Sequence, residues 1–596
     1  MQNYRRSAQP LLPESTSAAT PGEYNMYPTH HLQGGEIDRG FDRLARQLSK
    51  HPRIVIDGFV GVLWGDFQSR LDASLHQHGI IAHWVWVEGA LHAPEAVDRL
   101  IGPFLGGGDP LFGKRFTGEL RDFFDPNALA ALDESPEANT IIFYGSGAAL
   151  VTPDAYLIYL DVPKNEIQYR ARAGSIRNLG AAQAFEPPVM YKRFYFIDWA
   201  TLNHHKAALL SKIDLFVDAQ NPENPAFISG GALRGALVEI SQTFYRVRPW
   251  FEPGPWGGQW MKTRFPRLVK EGIPNYAWSF EMIAPEQGLI LESGGSMLEV
   301  SCDLLLYHDH HAILGQHAER FGFEFPIRFD FLDTFGGGNL SIQCHPRPAY
   351  IREHFGENFT QDETYYILDS KPDARVYIGF QKDSDPRQFR LQLEQSASEG
   401  TPVDIDRHVM SFPSEKHQLF LIPNGTIHAS GIDNLVLEIS ATPYLFTFKM
   451  YDWLRLDLNG RPRTLNIQRA LDNLRLDYRG ERVNHELISR SYVLDGGQDW
   501  QLLHLPTHRS HFYDVHRLEF ATSVTVHTAG SPHLLMLVEG SSIILETAGG
   551  KRGRFNFAET FIVPAAAETY QLINEGQTPV RVVKAFLKPD WIEPGE

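Results

Sequence analysis

Ser341-Ile342-Gln343-Cys344-His345-Pro346 is the stretch of this chain that decides how it is interpreted. Side chains alternate between the two faces of a strand, so Gln343 and His345 are expected to point the same way. A carboxylate at Glu363 and a second imidazole at His428 follow further along the chain. Together they make the mixed nitrogen and oxygen ligand set that zinc accepts. The sequence therefore predicts a metal site, which favours a metal-assisted enzyme over a binding scaffold.

The composition is that of an ordinary globular protein built from several domains. The chain has 596 residues, of which 43% are hydrophobic and 21% charged. A chain of this length is too long to fold around a single hydrophobic core, so we expect two to four domains. The formal net charge of -17 argues against a nucleic-acid partner. An anionic small molecule such as a sugar phosphate requires a locally positive pocket in such a protein.

Cysteine content and the N-terminal residues give an expectation about location. Cys302 and Cys344 are the only cysteines, too few for a disulfide framework, which favours a reducing compartment. Residues 1–20 are polar and lack the apolar stretch of a signal peptide. The sequence has no run of 18 apolar residues, so we expect no membrane span and a cytoplasmic protein. The oligomeric state stays open.

The first part of the chain has the pattern of a parallel α/β sheet. Residues 1–35 are predicted to form a flexible arm, and residues 36–225 a domain in which short apolar strands alternate with helices. A segment rich in proline and asparagine, residues 219–225, is the predicted boundary. The predicted strands are 53–58, 140–145, 155–161 and 215–218, with helices over 67–78 and 204–212.

From about residue 245 the pattern changes to short alternating strands, which predicts β-barrels. Residues 420–422 and 427–429 flank an Asn-Gly pair and are predicted to form a hairpin. Phe420-Leu421-Ile422-Pro423 has an echo in Phe561-Ile562-Val563-Pro564. We therefore expect two related barrels, over 245–460 and 490–596. In the second, Thr569 takes the place of His428, so that barrel is expected to lack the metal.

The middle of the chain resembles the class I mannose-6-phosphate isomerases, which are zinc enzymes built on the cupin (jelly-roll) fold. About 200 residues carry the resemblance, with motifs in the order found in that family. The matching motifs are Pro255-Trp256-Gly257-Gly258, Trp278-Ser279-Phe280-Glu281, Phe325-Pro326, Phe331-Leu332-Asp333, Leu340 to Pro346, Glu363-Thr364-Tyr365-Tyr366-Ile367, Ile422 to Ala429, Leu437-Glu438-Ile439 and Tyr451-Asp452-Trp453.

The resemblance implies specific roles for matching residues. One Zn²⁺ per chain is expected to be held by four residues, Gln343, His345, Glu363 and His428. The reaction is expected to interconvert mannose 6-phosphate and fructose 6-phosphate or a related sugar phosphate. Glu438 is expected to assist proton transfer, or alternatively to orient a metal ligand. Ser341 is a candidate for binding the substrate.

Two positions depart from the family pattern. Lys449 stands where an arginine is expected, and it is proposed to support developing charge as a point donor. Gln361 replaces a lysine associated with the substrate, which removes one positive charge. Three explanations stay open: a different substrate, compensation by other cations, or weakened activity. The other cations are Lys371, Arg347 and Lys382.

The first domain resembles uridine-kinase-like P-loop proteins around Ile54 to Asp66. A working phosphate loop needs Gly-Lys-Ser/Thr after four variable residues that follow Gly58. This chain has Leu63, Trp64 and Gly65 there. Without the lysine and hydroxyl, the loop holds neither the phosphates nor Mg²⁺. We expect a degenerate kinase-like domain with a structural or docking role; nucleotide or sugar binding and an active kinase are the alternatives.

A cluster of histidines elsewhere invites a second metal hypothesis. His308-Asp309-His310-His311 resembles a metal site in composition alone, and we interpret it as a polar surface stretch.

Two classes of function remain open for the whole chain. The first is a zinc-dependent sugar-phosphate isomerase. The second is a non-catalytic or regulatory sugar-binding protein in which both the kinase-like and the isomerase-like domains are degenerate.

Overall fold

The computed structural model describes residues 4–7, 9–16, 20–132, 140–152, 154–268, 270 and 272–595. Strands in these residues form six sheets. Every helix among them is too short or too polar to span a lipid bilayer. Single helical turns occur at Val87–Ala90, Gly102–Phe104, Leu120–Phe123, Ala148–Leu150, Phe194–Asp198, Pro266–Leu268, Gly315–His317, Ile405–Arg407 and Ala565–Ala567.

The first part of the chain alternates strands with helices, as its apolar runs predict. Its elements are β1 (Thr29–His31), β2 (Asp38–Arg39), α1 (Phe41–Leu48), β3 (Arg53–Gly58), α2 (Trp64–Gln77), β4 (Ala82–Trp86), α3 (Pro94–Ile101), α4 (Pro126–Ala131), β5 (Thr140–Tyr144), β6 (Tyr156–Asp161), α5 (Lys164–Arg172), α6 (Pro187–Arg193), α7 (Trp199–Leu209), β7 (Leu215–Asp218), β8 (Ala226–Ser229) and α8 (Gly230–Ser241).

Seven of these strands form one sheet in the order β2-β8-β7-β6-β3-β5-β4. The five strands from β7 to β4 are parallel, so the predicted parallel sheet is confirmed. The sheet continues past the predicted boundary at residue 225, because β8 pairs antiparallel with β7. The centre of β3 is buried on both faces, as expected for a strand with helices on either side.

The middle of the chain is rich in β-structure. Its elements are β9 (Trp250–Glu252), α9 (Trp260–Arg264), β10 (Trp278–Met282), β11 (Gly288–Ser293), β12 (Ser296–Ser301), α10 (Asp303–Leu314), α11 (Ala318–Phe321), β13 (Ile327–Asp333), β14 (Ile342–Cys344), α12 (Pro348–Phe355), β15 (Glu363–Ser370), β16 (Arg375–Phe380), α13 (Pro386–Glu399), β17 (Val409–Pro413), β18 (Leu419–Ile422), β19 (His428–Ser430), β20 (Asn434–Ala441), β21 (Phe448–Tyr451), α14 (Ile467–Asn473) and α15 (Glu481–Glu486).

Two sheets of this region enclose the residues predicted to bind metal. One has the order β18-β15-β20-β13-β10-β9, and the other β17-β16-β19-β14-β21. Both contribute to one continuous apolar core, with Phe329 and Leu437 from the first sheet and Ile342 and Ile378 from the second. The polar side chains of interest lie where the two sheets face each other.

The predicted hairpin around the Asn-Gly pair is wrong. β18 pairs with β15, whereas β19 pairs with β14 and β16 in the other sheet. The connection at Pro423–Ile427 therefore crosses between sheets. Gly425 takes a positive φ of 78° in this crossing, a conformation that glycine adopts without strain. This crossing carries the chain from the first sheet to His428 in the second.

The last part of the chain consists of antiparallel strands. They are β22 (Tyr492–Gly496), β23 (Trp500–Leu505), β24 (Tyr513–Phe520), β25 (Ser523–His527), β26 (His533–Glu539), β27 (Ser542–Thr547), β28 (Arg552–Asn556), β29 (Thr560–Val563), β30 (Thr569–Asn574) and β31 (Val580–Leu587). They form a six-stranded and a four-stranded sheet that share an apolar core. The echo of residues 420–423 lies on β29, and a second barrel remains a prediction.

The described residues of the predicted flexible arm are packed against the rest of the molecule instead. Arg5 pairs with Glu166 of the first region (2.9 Å), and the Gly22 amide donates to Asn556 of the last region (2.8 Å). β1 adds a parallel strand to β11, in the small sheet β1-β11-β12. These partners are far away in sequence, so the polar composition of the arm gave no sign of them.

Candidate metal centre

Four side chains, from two strands of one sheet and one strand of the facing sheet, converge between the two sheets. Gln343 lies on β14, directly opposite His428, the first residue of β19. His345 follows β14 and shares the face of Gln343 by alternation. Glu363 begins β15 in the facing sheet. The structure therefore brings together all four residues predicted as ligands, although they span 86 positions of the chain.

The distances within this cluster are those of direct contact. His345 Nε2 contacts Glu363 Oε2 at less than a normal hydrogen-bond separation. His428 Nε2 lies 3.3 Å from the same oxygen, and the Gln343 side-chain nitrogen 3.3 Å from His428 Nε2. The two imidazoles and the carboxylate form a group whose ligand atoms lie within 4.8 Å of one another. Glu363 is 1% exposed and Gln343, the most accessible of the four, 7%.

The hydrogen bonds of the two imidazoles fix which nitrogen faces the cluster. His345 Nδ1 lies 3.1 Å from the carbonyl of Phe446, and His428 Nδ1 2.9 Å from that of Thr426. A carbonyl only accepts, so both Nδ1 atoms carry the proton. Each Nε2 therefore presents a lone pair to Glu363. Backbone partners of this kind hold a histidine in the tautomer and orientation that a metal requires.

The electrostatics of the cluster favour a bound cation. Burial lowers the pKa of His345, which keeps its ring neutral. Burial alone would raise the pKa of Glu363, but the adjacent imidazoles hold that pKa well below its usual value. The other carboxylate oxygen, Glu363 Oε1, is buried without a hydrogen-bond partner among the described residues. Two lone pairs and a charged carboxylate thus meet in a dry interior, where a divalent cation fits the donor set.

Two adjacent residues of the segment that crosses between the sheets, Asn424 and Gly425, are held by hydrogen bonds. Asp362 accepts from the Asn424 backbone amide (2.7 Å) and from its side-chain amide (3.0 Å). The Gly425 amide donates to the carbonyl of His345 (2.9 Å). These bonds hold the segment before His428 against His345 and against Asp362, which precedes Glu363 in the chain.

Replacing Asn424 with alanine should lower the free energy of unfolding by about 1–3 kcal/mol, because the buried Asp362 carboxylate loses a donor. Chemical denaturation measures the change. The exposed Asn459 provides a matched control, and its replacement with alanine should change stability by less than about 0.5 kcal/mol. Equal effects of the two substitutions would contradict this role of Asn424.

A second buried polar group adjoins the cluster and centres on Arg328. The guanidinium of Arg328 pairs with Asp330 (2.7 Å) and, at very short range, with Glu438. Ser440 donates to the same Glu438 oxygen (2.9 Å). Burial raises the pKa of Glu438 well above its usual value, although Arg328 opposes the shift. Arg328 itself is buried, but its carboxylate neighbours, including Glu363, raise its pKa and keep it charged.

Sequence analysis missed Arg328 and Asp330. Both lie on β13, in the register Arg328 to Ser440 and Asp330 to Glu438. The signal was present, since charged residues alternate with Ile327, Phe329 and Phe331 along this strand. That alternation predicts a polar face opposite an apolar one.

Gln361 lies beside the same arginine. With its amide oriented to satisfy both ends, Gln361 accepts from Arg328 Nη2 (2.8 Å) and donates to the carbonyl of Pro443 (2.9 Å). Arg328 thus provides positive charge near the position where Gln361 replaces the expected lysine. Two of the three cations that the sequence offered as compensation have partners elsewhere: Lys371 pairs with Asp433 (2.7 Å), and Arg347 donates to the carbonyl of Asp472 (2.8 Å).

Lys449 and Ser341 lie at the edge of the cluster. Lys449 is half-buried on β21, with its Cα opposite that of Gln343, so both residues share a face. Burial, with contributions from Arg463 and Arg455, lowers the pKa of Lys449 to about 8. Ser341 is buried one residue before β14.

The histidines of 308–311 lie on α10. They do not belong to the group of possible metal ligands found in the described residues.

Comparisons with known proteins match the first part of the chain to one family and about half of the chain to another. A family model for a domain of unknown function (DUF8485) matches residues 40–242. The mannose-6-phosphate isomerase of Streptococcus mutans is 25% identical over 316 residues, which is 53% of this chain and 90% of the relative. A probable mannose-6-phosphate isomerase of Bacillus subtilis is 27% identical over 230 residues, 38% of this chain and 66% of the relative.

A solved mannose 6-phosphate isomerase from Bacillus subtilis aligns with 58% of this chain and 99% of its own, at 20% identity and a TM-score of 0.46. The sequence relatives carry the argument: over about half its length, this chain is similar to mannose-6-phosphate isomerases.

Proposed function

We propose that this chain is a zinc-dependent aldose–ketose isomerase that interconverts mannose 6-phosphate and fructose 6-phosphate or a related sugar phosphate. One observation carries the proposal: two imidazole lone pairs converge on a buried, charged carboxylate whose second oxygen has no hydrogen-bond partner in the part of the chain that the structure describes. The relatives that are named mannose-6-phosphate isomerases support the choice of reaction and substrate.

In this proposal the metal is held by His345 Nε2, His428 Nε2, the Glu363 carboxylate and the side-chain amide oxygen of Gln343. The amide oxygen faces the cluster once the Gln343 side chain turns about its last bond, a change of small cost. When bound, zinc supplies Lewis-acid stabilisation of the negative oxygen that develops as a carbon proton is removed.

Glu438 is proposed to move the proton between the two carbons. Conversion of the aldose takes the proton from C2 and returns it to C1, while the hydroxyl proton passes from O2 to O1. A carboxyl group with a raised pKa can both accept and return a proton near neutral pH. Arg328 contacts Glu438 and orients it. The alternative role for Glu438, orienting Glu363 only, is separated from this one by the kinetics below.

The substrate is proposed to approach from the side of Gln343 and Lys449, the least buried edge of the cluster. Lys449 lies there with Arg463 and Arg455, both of which pair with Asp452 (2.7 and 2.5 Å). Three cations and one carboxylate leave this edge locally positive, as an anionic substrate requires in an acidic protein. Lys449 is proposed to support developing charge, and Ser341 to bind the substrate.

The other two regions enter the proposal without catalytic roles. Residues 490–596 are proposed to form a cupin-like barrel without metal ligands, since Thr569 stands where His428 does in the first. Residues 36–225 are proposed to be a P-loop-like domain that no longer handles ATP, because Leu63, Trp64 and Gly65 replace the phosphate-binding residues.

A coupled assay of mannose 6-phosphate conversion tests the proposal. We expect turnover by the purified full-length chain, its loss after treatment with a chelator, and recovery when zinc is restored. A chain that retains one zinc but converts none of a panel of hexose and pentose phosphates would instead support the non-catalytic, sugar-binding alternative.

Replacing Glu438 with glutamine should lower kcat by about 10²- to 10⁴-fold while leaving the zinc content unchanged, because the amide cannot carry a proton. Kinetics and metal analysis of the same sample measure both quantities. Glu394, exposed on α13, gives a matched control in which neither changes. A variant that loses zinc in proportion to activity would show that Glu438 only orients a ligand.

A further inference from the structure

A large cavity lies in the first region, away from the metal cluster. It has a volume of about 1040 Å³ and lies at the carboxyl ends of β3, β4 and β5. Its walls include the loop after β3, the start of α2, and the segments after β4 and β5. In an open parallel sheet, ligands bind in the crevice at this edge, where neighbouring crossovers turn to opposite sides.

One wall of this cleft is a corner of three aromatic rings, Trp64, Trp86 and Tyr144. The ring centroids of Trp86 and Tyr144 are 4.9 Å apart, and that of Trp64 lies 6.1 Å from Trp86 and 6.4 Å from Tyr144. The ring planes are inclined by 51°, 66° and 63°. The rings are therefore inclined to one another rather than stacked as parallel plates. Such a corner suits a puckered ring with apolar C–H faces better than a flat base.

Two polar groups in the wall of the cleft are hydrogen-bond acceptors, so they favour a ligand that carries donors. Asn178 lines the cleft and is 1% exposed, and its Oδ1 has no hydrogen-bond partner among the described residues. The Glu88 carboxylate is held in the wall by the amide of Ser146 (3.2 Å). A phosphate is an acceptor and leaves both groups unsatisfied, whereas a hydroxyl donates to either.

The charges of the cleft also disfavour an anion. Asp66 lies in the first turn of α2, where it complements the helix dipole, and it pairs with Arg70 (2.9 Å). The remaining charged lining residues are Glu88, Glu223 and Arg177. Three carboxylates against two guanidinium groups leave no net positive charge for a phosphate.

We propose that this cleft binds an uncharged sugar in its pyranose form. Its apolar face packs into the corner of Trp64, Trp86 and Tyr144, and its hydroxyl groups donate to Asn178 and Glu88. This site is independent of the proposed isomerase centre, because no residue of the metal cluster lines the cleft. The phosphate-free cleft also accounts for the absence of lysine and serine or threonine after Gly58.

Titration of the full-length chain with D-mannose, D-glucose and mannobiose, followed by tryptophan fluorescence and calorimetry, tests the proposal. We expect at least one of these sugars to bind with a Kd in the millimolar range, about -4 kcal/mol. The Trp86→Ala and Glu88→Gln variants should each weaken binding at least about tenfold. Trp591→Ala, which alters a tryptophan outside the cleft, should leave binding unchanged, and all three variants should keep wild-type isomerase turnover.

Binding that persists in His428→Ala would separate the cleft from the metal centre and support the proposal. Three results would overturn it: no binding of any of the three sugars up to about 100 mM, binding that Trp86→Ala leaves intact, or binding of adenosine or ATP in their place. Loss of sugar binding in His428→Ala would also overturn it, since the isomerase centre would then be the site observed.

Discussion

Replacing His428 with alanine is expected to remove the metal and, with it, nearly all isomerase activity. The substitution deletes one of the two imidazoles whose Nε2 faces Glu363. It also removes the hydrogen bond from His428 Nδ1 to the carbonyl of Thr426, which orients the ring. We expect zinc to fall from about one per chain to a small fraction, and kcat/KM to fall at least about a thousandfold, or ~4 kcal/mol of transition-state stabilisation.

A matched control comes from the other histidine cluster. His311 lies on α10 with its side chain 61% exposed, and its replacement with alanine should change neither zinc content nor kcat/KM. Circular dichroism shows whether each variant is folded, and His428→Gln, which fills more of the space, provides a second test. A folded His428→Ala protein with full zinc and full turnover would refute the assignment of the site.

Replacing Arg328 with methionine is expected to cause the largest loss of stability. The guanidinium is buried and pairs with Asp330 and Glu438, so its removal leaves two carboxylates without their cation. Breaking a buried pair from one side costs about 3–5 kcal/mol, because the remaining charge stays buried. Chemical denaturation of the two proteins at the same pH measures the difference.

The pH dependence identifies the cause of this loss. Burial already raises the pKa of Asp330 to about 6, and removing Arg328 takes away the interaction that lowers it. A carboxyl whose folded-state pKa is raised stabilises the fold at low pH and loses that contribution as the pH rises. The deficit of the Arg328→Met variant should therefore be smaller at pH 5 than at pH 8.

Arg390 is the control for this experiment, since it pairs with Glu394 on an exposed helix face. Its replacement with methionine should cost less than about 1 kcal/mol at either pH. If Arg328→Met costs no more than Arg390→Met, the buried network does not stabilise the fold as described.

Local rules and the resemblance to a known family together predicted that the four side chains cluster, but not what surrounds them. Gln343 and His345 share a face because alternation along a strand is a local rule, and the order of the motifs supplied Glu363 and His428. The parallel sheet was predictable because β3, β6 and β7 are largely buried and read as apolar runs. The partly exposed strand β4 was not predicted. Strand alternation and apolar runs are read within a few residues, whereas Glu363 and His428 required the resemblance, which extends over about 200 residues.

The errors came from partners distant in sequence. The Asn-Gly pair at Asn424 is a turn signal, but it does not specify whether the next strand returns to the same sheet, and here β19 joins the other one. The contacts of the arm join residues as far apart as 161 positions, for Arg5 with Glu166, and 534 positions, for Gly22 with Asn556. The alternation along β13 could have placed Arg328 on a polar face, but it gives no indication of which carboxylates Arg328 meets.

Anomalous diffraction at the zinc edge, from crystals of the full-length protein grown with zinc, tests the central claim most directly. We expect one strong peak between the two sheets, about 2.0–2.2 Å from His345 Nε2, His428 Nε2 and a Glu363 oxygen. A protein that binds zinc only elsewhere, for example at His308–His311, or that leaves these three side chains in direct contact without a metal, would contradict the account.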